Sequence, residues 1–369
     1  MNVLRLEPLP DELAHGYRGR VLMFNGLRHS QEHLTLLSEW VQRQVADSGE
    51  LSPVEVLAWL AGQSSEHFVQ AHTTMPFMRS VAMTQCELPH GSPLQRLIMV
   101  RRALCDTRGY ACLCSQCVEE DVQFHGHSYW RRSHQMPGVY WCSKHGQPLH
   151  YVRNSNPYSR SPSDCLRESS EQFCADWVSG LMRSDCIQRY VAISNDLLTS
   201  CQAPVRWSRV VAGLRVGALA KGLKVPHPVD LREVDDYVRS KVDQVWLTRL
   251  LRKGDLTVEG VVCPQLNVTA PSVAVMFAAL MESADDAVNF ILDCERRFDS
   301  YTCVLDTVDE SVLQEAYVAA KGNFDTVAVM LGFTRLQVAR AFKTLRLNQI
   351  RLMMSGRLCP PQQATAEQR

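Results

Sequence analysis

Apolar residues recur every three or four positions through residues 9–26 (LPDELAHGYRGRVLMFNG), 33–45 (HLTLLSEWVQRQV) and 52–60 (SPVEVLAWL), a spacing that predicts amphipathic helices over most of residues 1–105. Ser52 followed by Pro53 and Glu55 has the make-up of a helix start. The pattern then changes. Residues 106–152 are rich in aromatic and turn residues, and the run YWRRSHQMPGVYW at 129–141 predicts short strands. Residues 153–170 (RNSNPYSRSPSDCLRESS) have the Ser, Pro and Asn content of an exposed linker. Helical periodicity resumes in EQFCADWVSGLM, DCIQRYVAISNDLL, VVAGLRVGALAKGL and DYVRSKVDQVWLTRLLRKG, with no convincing internal repeat. The last residues, 358–369, have the composition of a disordered tail.

Inside the aromatic-rich stretch, Cys114 and Cys117 (CSQC) are separated by 24 residues from Cys142 and His145 (CSKH). Two residues between the members of a pair let both side chains of a tight turn reach one ion, and three thiolates with one imidazole suit tetrahedral Zn2+. Such a shell has no position left for water, so the expected role is to hold the fold together and not to catalyse. Cys112 is an alternative to Cys114, and His125, His127 and His134 compete with His145. His145 has the knuckle spacing and is followed by Gly146, which suits a turn.

A chain of 369 residues has room for two or three domains, and 46% hydrophobic with 21% charged residues is a globular composition. No apolar run approaches the ~18 residues a membrane span needs, and the N-terminus carries acids and prolines where a secretory signal would be apolar. Fourteen scattered cysteines fit a reducing cytoplasm better than a disulfide framework. Net charge is zero, so any attraction for nucleic acid must be local. Residues 281–310 carry nine acidic and two basic side chains, whereas residues 311–357 carry seven basic and two acidic ones, which places a boundary near 306.

The basic segment has the pattern of a helix-turn-helix. Val327, Ala328 and Leu331 fall on one helical face, Gly332 supplies a left-handed turn, and Phe333 and Val338 close the core against the next helix. Thr334 stands as its N-cap. The outward face would carry Arg335, Gln337, Arg340 and Lys343, of which Arg and Gln can read guanine and adenine edges while the later Lys and Arg suit phosphates of double-stranded DNA. With Gly322-Asn323 before it and AVMLGFTR within it, the segment resembles the Fis-type helix-turn-helix. A second candidate at residues 256–277 has no basic residue on its second helix, and packing explains it better. The expected fold is therefore mainly α: an N-terminal helical domain (1–105), a small zinc-binding module with short strands (106–152), a linker (153–170), a helical domain (171–305), a helix-turn-helix (306–357) and a tail (358–369).

The metal segment resembles the signature of the TniQ family, which includes the target-selection proteins called TnsD. The matching residues are Cys114 and Cys117, the acidic pair Glu120 and Asp121, Tyr129 with Trp130, His134, Pro137, and Cys142 with His145; residues 9–26 resemble the family's opening helix. Ser115 departs from it, since the family often has Pro after the first cysteine. The resemblance implies a role in transposition, as an adaptor and not an enzyme: such proteins choose the insertion site and recruit the transposon's AAA+ ATPase regulator and transposase. Some read DNA directly, while in CRISPR-associated transposons a homodimer docks on the RNA-guided Cascade complex. Two other functions compete: a metalloenzyme, for instance a nuclease using His125, His127 or His134 with Glu120 and Asp121, and a transcription regulator with a zinc module.

Overall fold

Helices α1 (Ala14–Phe24), α2 (Gln31–Gln44), α3 (Pro53–Leu60) and α4 (Ser65–His72) enclose a core around Tyr17, Val21, Leu37, Val41, Val54, Leu57 and Phe68. The computed structural model describes residues 3–28, 30–45, 50–82, 88–95, 98–100, 103–104, 107–154, 156–200, 203–223, 232–251, 269–292 and 310–331, with 338, 339 and 342. The start signal at Ser52 is used as a capping box: Ser52 Oγ accepts from the Glu55 amide at 3.4 Å, and the Glu55 carboxylate accepts from the Ser52 amide at 2.7 Å. The opening helix is shorter than residues 9–26. It begins at Ala14, because Asp11 takes a positive φ of 57° and turns the preceding residues along a different surface.

Two buried histidines make this part of the chain acid-sensitive. Burial pushes both His72 and His90 down to about 4, since neither charged ring would be solvated. Between that value and the ordinary value near 6.5 an unfolded chain binds protons that the folded one does not, so stability falls as pH drops through the window. The expected loss is about 3 kcal/mol per histidine by pH 4. Urea melts of His90→Gln should show a shallower decline between pH 6.5 and 4 than wild type.

After a four-residue helix α5 (Met75–Met78) and a short strand β1 (Val81–Ala82), the chain builds a three-stranded antiparallel sheet from β2 (Ala111–Leu113), β3 (His150–Val152) and β4 (Glu171–Gln172), in that order. Ala111 faces Val152, and Tyr151 faces Glu171. Helix α6 (Ser115–His125) follows β2 directly. The strands expected within residues 129–141 are absent: that run is a 3-10 turn (Ser133–Gln135) flanked by single bridges, Arg131 to Glu12 and Trp141 to Pro148. Its alternation of aromatics serves packing from an irregular backbone. Residues 153–170 are not an exposed linker either. Tyr158, Pro162 and Cys165 are buried, and α7 (Pro162–Glu168) is capped by Ser161 and bonded at Ser163 N to Ser128 Oγ, 2.8 Å away.

The remaining helices are α8 (Ala175–Met182), α9 (Asp185–Thr199), α10 (Trp207–Ala220), α11 (Arg232–Lys241), α12 (Gln244–Leu250), α13 (Ala270–Leu280), α14 (Ala284–Leu292), α15 (Glu310–Ala319) and α16 (Phe324–Leu331); β5 (Val205–Arg206) pairs in parallel with β1. Within the periodic run at 236–254 the described residues form two helices, because Asp243 leaves the helix and its carboxylate accepts from the Trp246 amide at 2.7 Å as a new N-cap. Helix α13 is buried along its whole length and packs against α9, α10 and α11, which makes it a core helix.

This helical block shares one core with the metal segment, joined at Pro137-Gly138. Tyr190 Oη donates to the Pro137 carbonyl and Trp246 Nε1 to the Gly138 carbonyl, both at 2.9 Å. Gly138 has φ 75°, and a Cβ there would lie 2.8 Å from Tyr190 Cε1 and 3.1 Å from both Leu250 and Trp246. Gly138→Ala is therefore expected to cost about 2–4 kcal/mol, combining the left-handed backbone with overpacking, measurable as a lower denaturation midpoint.

Candidate metal centre

Cys114 stands alone between β2 and α6 as the helix N-cap residue, while Cys117 lies in the first turn of that helix. The first pair is thus a strand-to-helix junction and not a hairpin tip. Both sulfurs sit where unpaired helix amides favour negative charge. Ser115 occupies the first helical position, where a proline is equally at home because that amide has no partner within the helix, so the departure from the family pattern leaves the junction unchanged. The second pair sits on a turn. The Cys142 amide donates to the Gln147 carbonyl, the Gly146 amide donates to the Cys142 carbonyl, both at 2.8 Å, and Gly146 takes φ 63° to bring the chain back.

These two turns bring Cys114, Cys117, Cys142 and His145 together, with their donor atoms all within 4.8 Å of one another. His145 Nδ1 is 3.4 Å from the sulfurs of Cys114 and Cys117 and 3.6 Å from that of Cys142, and Cys117 and Cys142 sulfurs are 3.7 Å apart. Metal bonds of about 2.3 Å to sulfur and 2.0–2.1 Å to nitrogen in a tetrahedron give edges of about 3.8 and 3.5 Å. The donor set fits such an ion. The sulfur separation is far beyond a disulfide bond, and the three cysteines are buried.

Without a cation this cluster is electrostatically frustrated. Contacts with Cys114 and Cys142 push the Cys117 thiol up, since adjoining thiolates oppose one another's ionisation. A divalent ion would let all three ionise.

The surroundings fix the ligands. His145 Nε2 lies 3.1 Å from Glu120 Oε1, and Glu120 Oε2 accepts from Lys144 Nζ at 2.5 Å. A carboxylate on the far nitrogen orients an imidazole for a metal on the near one. Lys144 first and His145 second hold the exposed Glu120 carboxyl below its usual range. This role of Glu120 was not read from the sequence, although its place three residues after Cys117 puts both on one helical face. Asp121, next along, is buried and turned the other way, accepting from Arg131 at 2.5 Å; burial raises its carboxyl. The two acids therefore do not share one ion.

The competing ligands are placed too. Cys112 is outside the cluster: its sulfur accepts from Arg108 at 3.2 Å and its amide donates to Gln135 Oε1 at 2.8 Å. His134 Nε2 lies 4.0 Å from Cys117 Sγ, beside the cluster. The Nδ1 atom of His127 lies 3.0 Å from the His125 carbonyl oxygen. Among the described residues the Cys114, Cys117, Cys142 and His145 group is the metal-competent cluster found, and no helix is long and apolar enough to cross a membrane.

The C-terminal helices form their own small core. Val327, Ala328 and Leu331 on α16 are buried with Leu313, Ala316 and Tyr317 on α15, and Val338 and Phe342 join them. Tyr317, Phe324 and Phe342 pack in tilted and edge-on pairs with centroids 4.7–5.5 Å apart. Helix α15 ends in a Schellman turn, Gly322 N to Tyr317 O and Lys321 N to Val318 O at 3.0 Å, and Asn323 Oδ1 caps α16. Gly332, Phe333, Thr334, Arg335, Gln337, Arg340 and Lys343 lie outside the described residues.

No curated protein matches the chain. Residues 3–149 match the TniQ family, and hydrogen bonds tie the opening segment of this span to its metal segment. The residues before α1 lie along the metal segment: the Arg132 amide donates to the Asp11 carbonyl and the Leu13 amide to the Trp130 carbonyl, both at 2.7 Å, and Ser133 Oγ donates to Asp11 Oδ2 at 2.6 Å. With its opening segment bonded to its cysteine-histidine module in this way, the N-terminal part of the chain, residues 3–149, matches the TniQ family of transposition-associated proteins.

Proposed function

We propose that this protein selects target sites for DNA transposition, as a zinc-containing, DNA-binding adaptor that recruits an AAA+ ATPase regulator and a transposase. The observation that carries this reading is the three-sulfur, one-nitrogen cage inside the unit that matches TniQ. Thiolates and imidazole favour Zn2+ among the divalent ions, and four protein ligands leave no site for substrate water, which supports a scaffold over a hydrolase. Double-stranded DNA would be read by the segment after α16, with Thr334 as cap, Arg335 and Gln337 on base edges and Arg340 and Lys343 on phosphates; the buried face of α15 and α16 supports that hairpin.

Titration of duplex DNA at several salt concentrations tests it. Arg335→Ala with Arg340→Ala is expected to weaken binding at least tenfold and to flatten the salt dependence by about one phosphate. Unchanged affinity and slope would overturn direct reading. Co-purification of such a chain, as a homodimer, with an RNA-guided Cascade complex would then make it a docking adaptor.

A further inference from the structure

Away from the metal centre, four helices converge on an open, polar cleft of about 400 Å3. Arg189 comes from α9, Lys221 follows the end of α10, Lys241 ends α11, and Glu282 follows α13. Three cations face two carboxylates, Asp185 and Glu282, leaving an excess of one positive charge. Nothing in the metal site or the C-terminal hairpin uses them.

The individual environments differ. Arg189 donates from Nε to the Ala278 carbonyl at 2.8 Å, which ties its stem to the core. Lys241 lies over the Tyr237 ring with its Nζ 5.0 Å from the centroid. Lys221 is paired with Glu282, whose side chain is 83% exposed, so the pair is open to exchange with another anion. At the floor, α9 begins at Asp185 with no side chain capping its first amides. Gathering three cations around a helix start in a concave polar site is favourable when an oxyanion shares them. The cleft also belongs to the block that carries the C-terminal hairpin, since α10 packs on α16.

We infer that this cleft binds a backbone phosphodiester of the DNA, a second anchor beyond the segment after α16. The inference rests on the DNA-binding reading above. Lys221 and Lys241 supply the mobile charges, Arg189 the fixed one, and Glu282 acts as the gate that the phosphate displaces.

The test uses full-length, metal-loaded protein and a duplex of arbitrary sequence. Lys221→Ala with Lys241→Ala is expected to weaken binding about fivefold to tenfold and to reduce the salt slope by about 0.9, the share of one phosphate, whereas the double Lys→Arg variant keeps both. Glu282→Gln, at an exposed position that does not threaten folding, is expected to tighten binding about twofold to fivefold. If the lysine variant binds as wild type while Arg335→Ala with Arg340→Ala does not, this inference fails and target reading stands. If neither pair matters, DNA reading itself fails. Should the alanine pair unfold the chain, Glu282→Gln alone decides, and unchanged affinity refutes the site.

Discussion

Cys142→Ser is expected to release the metal and unfold residues 106–152 together with whatever packs on them. Cys142 sits between the other donors, 3.7 Å from Cys117 Sγ and 3.6 Å from His145 Nδ1, and its amide closes the second turn on Gln147. A structural Zn2+ site contributes on the order of 10 kcal/mol at neutral pH, comparable to the whole stability of a typical domain. The loss cannot stay local, because Tyr140, Trp141 and Leu149 beside the turn belong to the same core as Tyr190 and Trp246. Elemental analysis should find about one zinc per wild-type chain and none in the variant, and melting should shift by several kcal/mol. Glu120→Gln gives the graded control: removing the charge that holds His145 Nε2 is expected to weaken metal affinity about tenfold to a hundredfold while leaving the fold intact when metal is abundant. A variant lacking Cys142 that melts like wild type would mean the four side chains pack without an ion.

The same centre shows what sequence patterning carries and what it does not. Cys114, Cys117, Cys142 and His145 could be singled out because ligand spacing is a local property, and the structure brings those four together. Helices with a strong apolar stripe, such as α2, α9 and the capped α3, were legible for the same reason. Long-range choices were not. Residues 153–170 look like a linker by composition, yet Tyr158 and Cys165 are buried and the Tyr158 carbonyl lies so close to α1 that a Cβ on Gly19 would stand 1.9 Å from it. Residues 129–141 have strand-like aromatics, but their partners are distant: Trp130 bonds back to Leu13, and Pro137 and Gly138 accept from Tyr190 and Trp246. A module boundary near 152 reads well along the chain because the turns there are polar. It does not interrupt the packing, since one core runs from Phe77 to Ile291. Glu120 illustrates the finer gap, for its neighbour Asp121 has the same chemistry in sequence and opposite surroundings in space.

Glu12→Gln is expected to destabilise the N-terminal unit by about 3–5 kcal/mol, the second large effect. Glu12 is fully buried and Arg20 is 8% exposed; the guanidinium meets the carboxylate in a fork, Nε to Oε1 at 2.8 Å and a terminal nitrogen to Oε2 at 2.7 Å. The same carboxylate accepts from the Leu9 amide at 2.9 Å, and Arg20 also donates to the Glu7 carbonyl at 2.8 Å. Removing one charge strands the other in a dry site, which is where the cost arises; the pair itself adds little net stability because both ions had to be desolvated. Glu12→Leu with Arg20→Met should therefore recover most of the loss in a urea melt, and a double variant no more stable than the single would refute this account. The fork has a further consequence for the metal segment. By fixing residues 7–12 ahead of α1, it presents the Asp11 carboxylate to Ser133 and Arg132 and the Leu13 amide to Trp130. The single variant should accordingly raise hydrogen exchange at the amides of Leu13 and Arg132 as well as those near Arg20, whereas a purely local defect would leave Arg132 protected.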